Sequence, residues 1–304
     1  MADRLAIKIT DLWKAYGNVK ALQGVDLDIR QGEIFGFLGP NGAGKTTTIR
    51  CMLDLIRPQK GTIQIFDLDP QVNPVAVRAR TGYLPGELSM ESNLTVEGQL
   101  RYYRDLRGNK INWNFVNQLA ERLELDLSIR IKNLSKGNKQ KVGVIQALMP
   151  RPDLLLLDEP TAGLDPLMQQ EVYRLLREAQ SEGATVFFSS HIINEVETLA
   201  DRVAIIRAGV IAEEAEPGQL VNLSIRRVLV RFMGPVDTTA LTRVEGVSLN
   251  SKAEATMVDL HVEGEMDALI KALAAFPVSD MEIMHPSLEE VFLAYYKAGA
   301  KEVN

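Results

Sequence analysis

Apolar and polar positions change rhythm several times along the chain. Residues 5–9 and 25–29 alternate, so they predict half-exposed strands of an antiparallel element, with Tyr16 and Gly17 in the turn between them. Residues 33–38 form a short apolar run, a buried strand, and 45–56 predict a helix stopped near Pro58. Further strands are expected over 61–66 and 81–85. A mostly helical stretch follows from 95 to 149, with apolar residues at helical spacing over 96–106, 113–125 and 139–149. Residues 133–138 between these helices are polar and turn-like. Leu154, Leu155, Leu156 and Leu157 are continuously apolar, the mark of a parallel strand covered on both faces. Residues 184–188 read the same way, with helices over 166–182 and up to Ala200. A strand and hairpin over 203–212 close this part. Strands alternating with helices predict an α/β fold with a mainly parallel sheet.

After about Leu223 the pattern becomes strand 227–232, short helix 237–243, strands 247–250 and 256–262, helix 265–276 and strand 278–284. That β-α-β-β-α-β order predicts a small α+β, ferredoxin-like domain. Ser287 and Glu290 form a capping box for a last helix carrying Leu288, Val291, Phe292, Tyr295 and Tyr296. The expected domains are therefore 1–223, with a helical subdomain at about 88–150, and 224–304.

Composition narrows the function classes. The 304 residues are 46% hydrophobic and 24% charged, ordinary for a globular chain. A net charge of −6 disfavours a nucleic-acid surface, so no nucleic-acid partner is expected. The single Cys51 has no internal disulfide partner, and no early apolar run resembles a secretion signal. No stretch approaches the roughly 18 apolar residues of a membrane span. A cytoplasmic protein is expected, with any membrane role exercised through a partner.

The chemistry starts at Gly39-Pro40-Asn41-Gly42-Ala43-Gly44-Lys45-Thr46-Thr47, which fits the phosphate-loop pattern G-x-x-x-x-G-K-[ST]. Glycines let backbone N–H groups approach phosphate oxygens, and Lys45 supplies charge for the β- and γ-phosphates. The Thr46 hydroxyl is a hard ligand suited to Mg²⁺. A strand before the loop and a helix after it aim a helix N-terminus at an anion. The loop alone leaves kinases, GTPases, helicases and transport ATPases open. Asp158, at the end of an apolar strand, can complete the Mg²⁺ site, and Glu159 beside it suits a general base.

With these motifs the chain resembles the nucleotide-binding subunit of an ATP-binding cassette (ABC) transporter over about residues 5–222. Leu134-Ser135-Lys136-Gly137-Asn138 is similar to the family's signature motif, usually Leu-Ser-Gly-Gly-Gln. Residues 154–159 resemble its second nucleotide motif with the catalytic glutamate, Glu159. Gly163-Leu164-Asp165 resembles the loop that crosses to a partner subunit. His191 falls at the switch histidine, and Tyr16 where the family stacks an aromatic on adenine. The resemblance implies a phosphate-loop cassette with a parallel core, an antiparallel β subdomain and a helical subdomain. It implies an ATPase using ATP and Mg²⁺, in which Ser135, Gly137 and Asp165 of one subunit complete the ATP site of another in a head-to-tail homodimer. Two departures stand out. Gly86, followed by Glu87, occupies the family's usual loop glutamine, and Lys136 and Asn138 replace a Gly and a Gln. Residues 83–88 and 286–292 resemble a bacterial and archaeal subgroup serving exporters of drugs, antibiotics, polymers, lipids or ions through a separate membrane permease. That places the chain at the cytoplasmic face of the membrane. The alternative is a soluble ATPase of the same superfamily acting on ribosomes or DNA.

Overall fold

The computed structural model describes residues 4–108, 110–217, 226–235, 237, 239, 241–249 and 256–284. The chain forms two compact units, Met1–Glu216 and Pro217–Asn304.

The first unit runs β1 (Leu5–Tyr16), β2 (Val19–Arg30), β3 (Ile34–Leu38), α1 (Lys45–Met52), β4 (Lys60–Ile65), α2 (Pro74–Ala79) and β5 (Thr81–Leu84). It continues with α3 (Val96–Leu106), α4 (Trp113–Arg122), α5 (Lys136–Leu148), β6 (Leu154–Asp158), α6 (Pro166–Ser181) and β7 (Thr185–Ser190). It ends with α7 (Ile193–Leu199), β8 (Arg202–Arg207) and β9 (Val210–Ala215). Two sheets result. One is antiparallel, in the order β2-β1-β4; the other has six strands in the order β5-β6-β7-β3-β8-β9. All neighbours in the second sheet are parallel except β8 and β9.

Every residue of β3, β6 and β7 is buried, as expected of strands covered on both faces. Phe35 and Phe37 pack against Phe187 of the neighbouring strand, with ring centroids 5.9 and 5.3 Å apart. This apolar centre fixes the carboxyl ends of β3, β6 and β7 side by side. The groups that follow these strands therefore meet at one edge of the sheet, where ligands of open α/β sheets bind.

Several boundaries differ from the periodicity. Helix α1 stops at Met52, because Asp54 takes a left-handed φ of 50° and its amide turns back to the Cys51 carbonyl. Helix α5 starts at Lys136, three residues early, because the Ser135 hydroxyl accepts the Asn138 N–H and caps it. The polar stretch after Ser135 is thus a first helical turn. Tyr16 ends β1, and only Gly17 and Asn18 turn the chain. The short helix α2, opened by Pro74, has too few residues to show a period.

The second unit contains β10 (Arg226–Phe232), β11 (Val247–Leu249), β12 (Met257–Val262), α8 (Asp267–Leu273) and β13 (Val278–Met284). Its strands are ordered β11-β12-β10-β13, all antiparallel. Each strand of the pairs β10/β11 and β12/β13 is separated from its successor by one strand of the other pair, the interleaving of a split βαβ fold. Val228, Val230, Leu260, Val262, Leu269 and Leu273 form its core. The segment 237–243, expected as a helix, is only partly described, and its last three residues form a turn. Ser287, Glu290 and the helix expected after them lie outside the described residues. No helix among the described residues is long and apolar enough to cross a membrane.

Candidate functional site

The phosphate loop leaves β3 at Gly39, whose N–H is held by the Ser190 carbonyl of β7 at 3.1 Å. A side chain at Gly39 would put its Cβ 2.4 Å from the Ile206 carbonyl, so only glycine fits. Gly42 and Gly44 take φ of 79° and 117°, the conformations that wrap the loop around the start of α1. Lys45 is 6% exposed, and its ammonium donates to the Gly39 and Pro40 carbonyls at 2.6 and 3.2 Å. Burial lowers its pKa, while the charges of Glu159 and Asp158 act against that.

Asp158 ends β6 and is 2% exposed. Its carboxylate accepts from Thr46 Oγ1 at 2.6 Å and from Ser189 Oγ at 2.5 Å. Glu159 follows in a left-handed backbone conformation, φ 52°, rare for a residue with a Cβ. Its N–H donates to Ser189 Oγ at 3.1 Å, and its carbonyl accepts from Gln140 Nε2 at 2.9 Å. The turn aims its carboxylate at two cations or donors: His191 Nδ1 lies 3.0 Å from Oε1, and Lys45 Nζ 3.8 Å.

Lys45, Thr46, Asp158 and Glu159 line a cleft of about 470 Å³, together with Pro40, Asn41, Gly42, Gly44, Thr47, Ala21, Arg50, Gly86 and Glu87, while Gly39, Ala43 and His191 lie outside this lining. Gly86 lies against Asp158: a Cβ there would come 2.9 Å from Oδ2. Tyr83, just upstream, has its phenol pKa raised by burial and then by the Asp158 charge. A second, smaller cavity of about 140 Å³, lined by Phe115, Leu119, Leu148 and Leu175, shares no residue with this cleft.

Some expected residues sit elsewhere. Tyr16 is 47% exposed at the end of β1, with the Lys14 ammonium 5.4 Å from its ring, and it does not line the cleft. Ser135, Gly137 and Asp165 do not line it either. They do lie together: Gly137 packs so closely on the loop before Asp165 that a Cβ would meet the Gly163 carbonyl at 2.6 Å. Asp165 caps α6, accepting the N–H groups of Leu167 and Met168.

Sequence reasoning missed Gln140, Ser189, Arg50 and Glu195. Gln140 bridges α5 to the Glu159 and Pro160 carbonyls, and Ser189 grips both Asp158 and Glu159. The one available signal was two serines ending an apolar strand just before His191.

The Thr46 and Asp158 oxygens fit a hard divalent cation, since Mg²⁺ takes one or two protein oxygens and completes its shell with phosphates and water. A phosphate loop, a buried aspartate and an adjoining glutamate on one parallel sheet define a nucleoside-triphosphatase cassette. The ABC transporter family model matches residues 22–162. Over 211 residues the chain is 40% identical to the bacitracin transport ATP-binding protein BcrA of Bacillus licheniformis, covering 68% of this chain and 69% of that one. It is 30% identical to the daunorubicin/doxorubicin resistance ATP-binding protein DrrA of Streptomyces peucetius, over 95% and 92% of the two chains. The Nod factor export ATP-binding protein I of Paraburkholderia xenovorans is 32% identical, over 95% and 96%. Among solved structures, an ATP-binding subunit of an ABC transporter superposes with a TM-score of 0.65 at 28% identity, covering 71% of this chain and 91% of that one. A dimeric bacterial ABC transporter cassette gives 0.63 at 25% identity, covering 69% and 98%. The chain belongs to the ABC transporter family, among its ATP-binding proteins, which hydrolyse ATP to power transport.

Proposed function

We propose that this chain is the ATP-hydrolysing subunit of an exporter, working at the cytoplasmic face of the membrane through a separate permease. The convergence of Lys45, Thr46, Asp158, Glu159 and His191, drawn from three segments of the chain, supports this reading. The named relatives are transport, export and resistance proteins, which favours an exporter over a ribosome- or DNA-acting ATPase.

The N–H groups of residues 39–47 cradle the phosphates of ATP, and Lys45 moves its charge from loop carbonyls to phosphate oxygens. Thr46 and Asp158 would hold Mg²⁺, which would offset the negative charge of the phosphates. Glu159 orients a water for in-line attack on the γ-phosphorus and takes its proton. The bond to the β–γ bridging oxygen breaks, leaving ADP and phosphate. His191 holds the Glu159 carboxylate in place from the other side. Tyr16 stacks on adenine from the rim. Ser135, Gly137 and Asp165 serve the site of a second copy, in a head-to-tail homodimer, which accounts for their place away from the cleft of their own chain. The second unit, proposed as a separate accessory domain from about residue 224, acts through contact.

Steady-state ATPase of the full chain, alone and with its co-purified membrane partner, tests this. Turnover that requires Glu159 and divalent cation supports it, and turnover indifferent to Glu159→Gln overturns it.

A further inference from the structure

Glu195 is a buried carboxylate that the proposed hydrolysis does not use. It lies on α7, is 5% exposed, and has no ion pair among the described residues. Hydroxyls solvate it instead. Ser190 Oγ donates to Oε2 at 2.5 Å, and Thr161 Oγ1 donates to Oε1. The Tyr173 phenol is a third neighbour: its pKa is pushed up by burial and then by the charge and hydrogen bond of Glu195. A buried charge without a cation is costly unless hydrogen bonds replace its water, so this arrangement holds each donor firmly.

Two of the donors come from segments that carry the site, and the third from the helix that follows. Ser190 ends β7 and immediately precedes His191. The same Ser190 hydroxyl accepts the Ile192 N–H at 2.9 Å, so it closes a turn with His191 at its tip. Thr161 lies two residues past Glu159, in the turn where the Ala162 N–H meets the Glu159 carbonyl and the Leu164 N–H meets the Thr161 carbonyl. Tyr173 lies on α6, the helix capped by Asp165. One carboxylate thus ties the His191 turn to the Glu159 turn and to the helix that follows.

We propose that Glu195 is a positioning residue for hydrolysis: it locks the His191 turn against the Glu159 turn and so sets the His191–Glu159 contact. It does not line the cleft, and it acts through Ser190 and Thr161. The proposal rests on the ATPase reading of the cleft, but its structural core can be measured without nucleotide.

The test compares Glu195→Gln, Ser190→Ala and the wild-type full chain, with Glu159→Gln as a reference. Imidazole nitrogen shifts are recorded on histidine-labelled protein, His191 being assigned with His191→Ala. The expected result is that both Glu195→Gln and Ser190→Ala move the His191 Nδ1 signal toward its value in Glu159→Gln. In turnover, Glu195→Gln lowers kcat about tenfold or more and leaves KM for ATP within about twofold, because phosphate contacts are untouched. A purely structural role would lower the melting temperature without that split. An unmoved His191 signal in both variants, or a kcat within twofold of wild type in Glu195→Gln, overturns the proposal. If Glu159→Gln itself retains normal turnover, the ATPase reading fails, while the His191 signal still decides whether Glu195 sets that contact. Should Glu195→Gln fail to fold, Ser190→Ala carries both measurements.

Discussion

Thr46 Oγ1 and Asp158 Oδ2 lie 2.6 Å apart although 112 positions separate them in the chain. One comes from the start of α1, the other from the end of β6, and the parallel sheet brings them together. The pair joins phosphate binding to the strand that delivers Glu159, so the two functions can be separated by substitution.

Glu159→Gln keeps the size of the side chain but removes its charge and the base. It is expected to lower kcat by about 10²-fold or more while ATP affinity stays near wild type. Single-turnover hydrolysis alongside equilibrium ATP binding checks this, and loss of binding would contradict the assignment.

Lys45→Met is expected to abolish tight ATP binding yet melt at or above the wild-type temperature. Burial lowers the Lys45 pKa below its ordinary 10.5, so the folded state carries a penalty for the charged form. That penalty is fully present at neutral pH and fades as pH rises through the folded pKa toward 10.5, where the unfolded chain also loses its proton. The melting difference between Lys45→Met and wild type should therefore shrink as pH rises, which calorimetry from neutral to alkaline pH measures.

Gly39→Ala places a methyl 2.4 Å from the Ile206 carbonyl, which is backbone and cannot swing aside. Overpacking of this kind costs about 1–3 kcal/mol. Denaturant melts should show that loss together with weakened ATP binding, since the phosphate loop must shift to relieve the clash.

If ATP is held between Lys45 of one copy and Ser135 of another, Glu159→Gln with Mg-ATP should sediment as a dimer. Adding Ser135→Ala should weaken that dimer roughly tenfold or more, the scale of a lost hydrogen bond to a charged group at each site. Unchanged dimerisation would remove Ser135 from the interface.

A chain ending at Glu216, the boundary of the first compact unit, is expected to fold and bind ATP while coupling less well to transport. Nucleotide titration of the truncated protein decides: a folded truncation that cannot bind ATP would place the second unit in the nucleotide site.

The sequence by itself was enough for the phosphate loop, the Asp158–Glu159 pair and the α/β class. A phosphate cradle needs glycines, a lysine and a hydroxyl at fixed local spacing, and a doubly covered strand needs an unbroken apolar run, so both are written locally. The start of α5 was misplaced because the Ser135 cap is a short-range hydrogen bond that periodicity does not register. Tertiary structure alone decided which segments meet. Because β3 lies between β7 and β8, Gly39 is held by Ser190, and because β6 pairs with β7, Ser189 reaches both Asp158 and Glu159. The same sheet order draws Ser190, Thr161 and Tyr173 around Glu195, a residue whose surroundings no local pattern announces. Strand order is a property of the whole packed sheet, set by which apolar faces bury one another, and spacing along a single chain does not specify it.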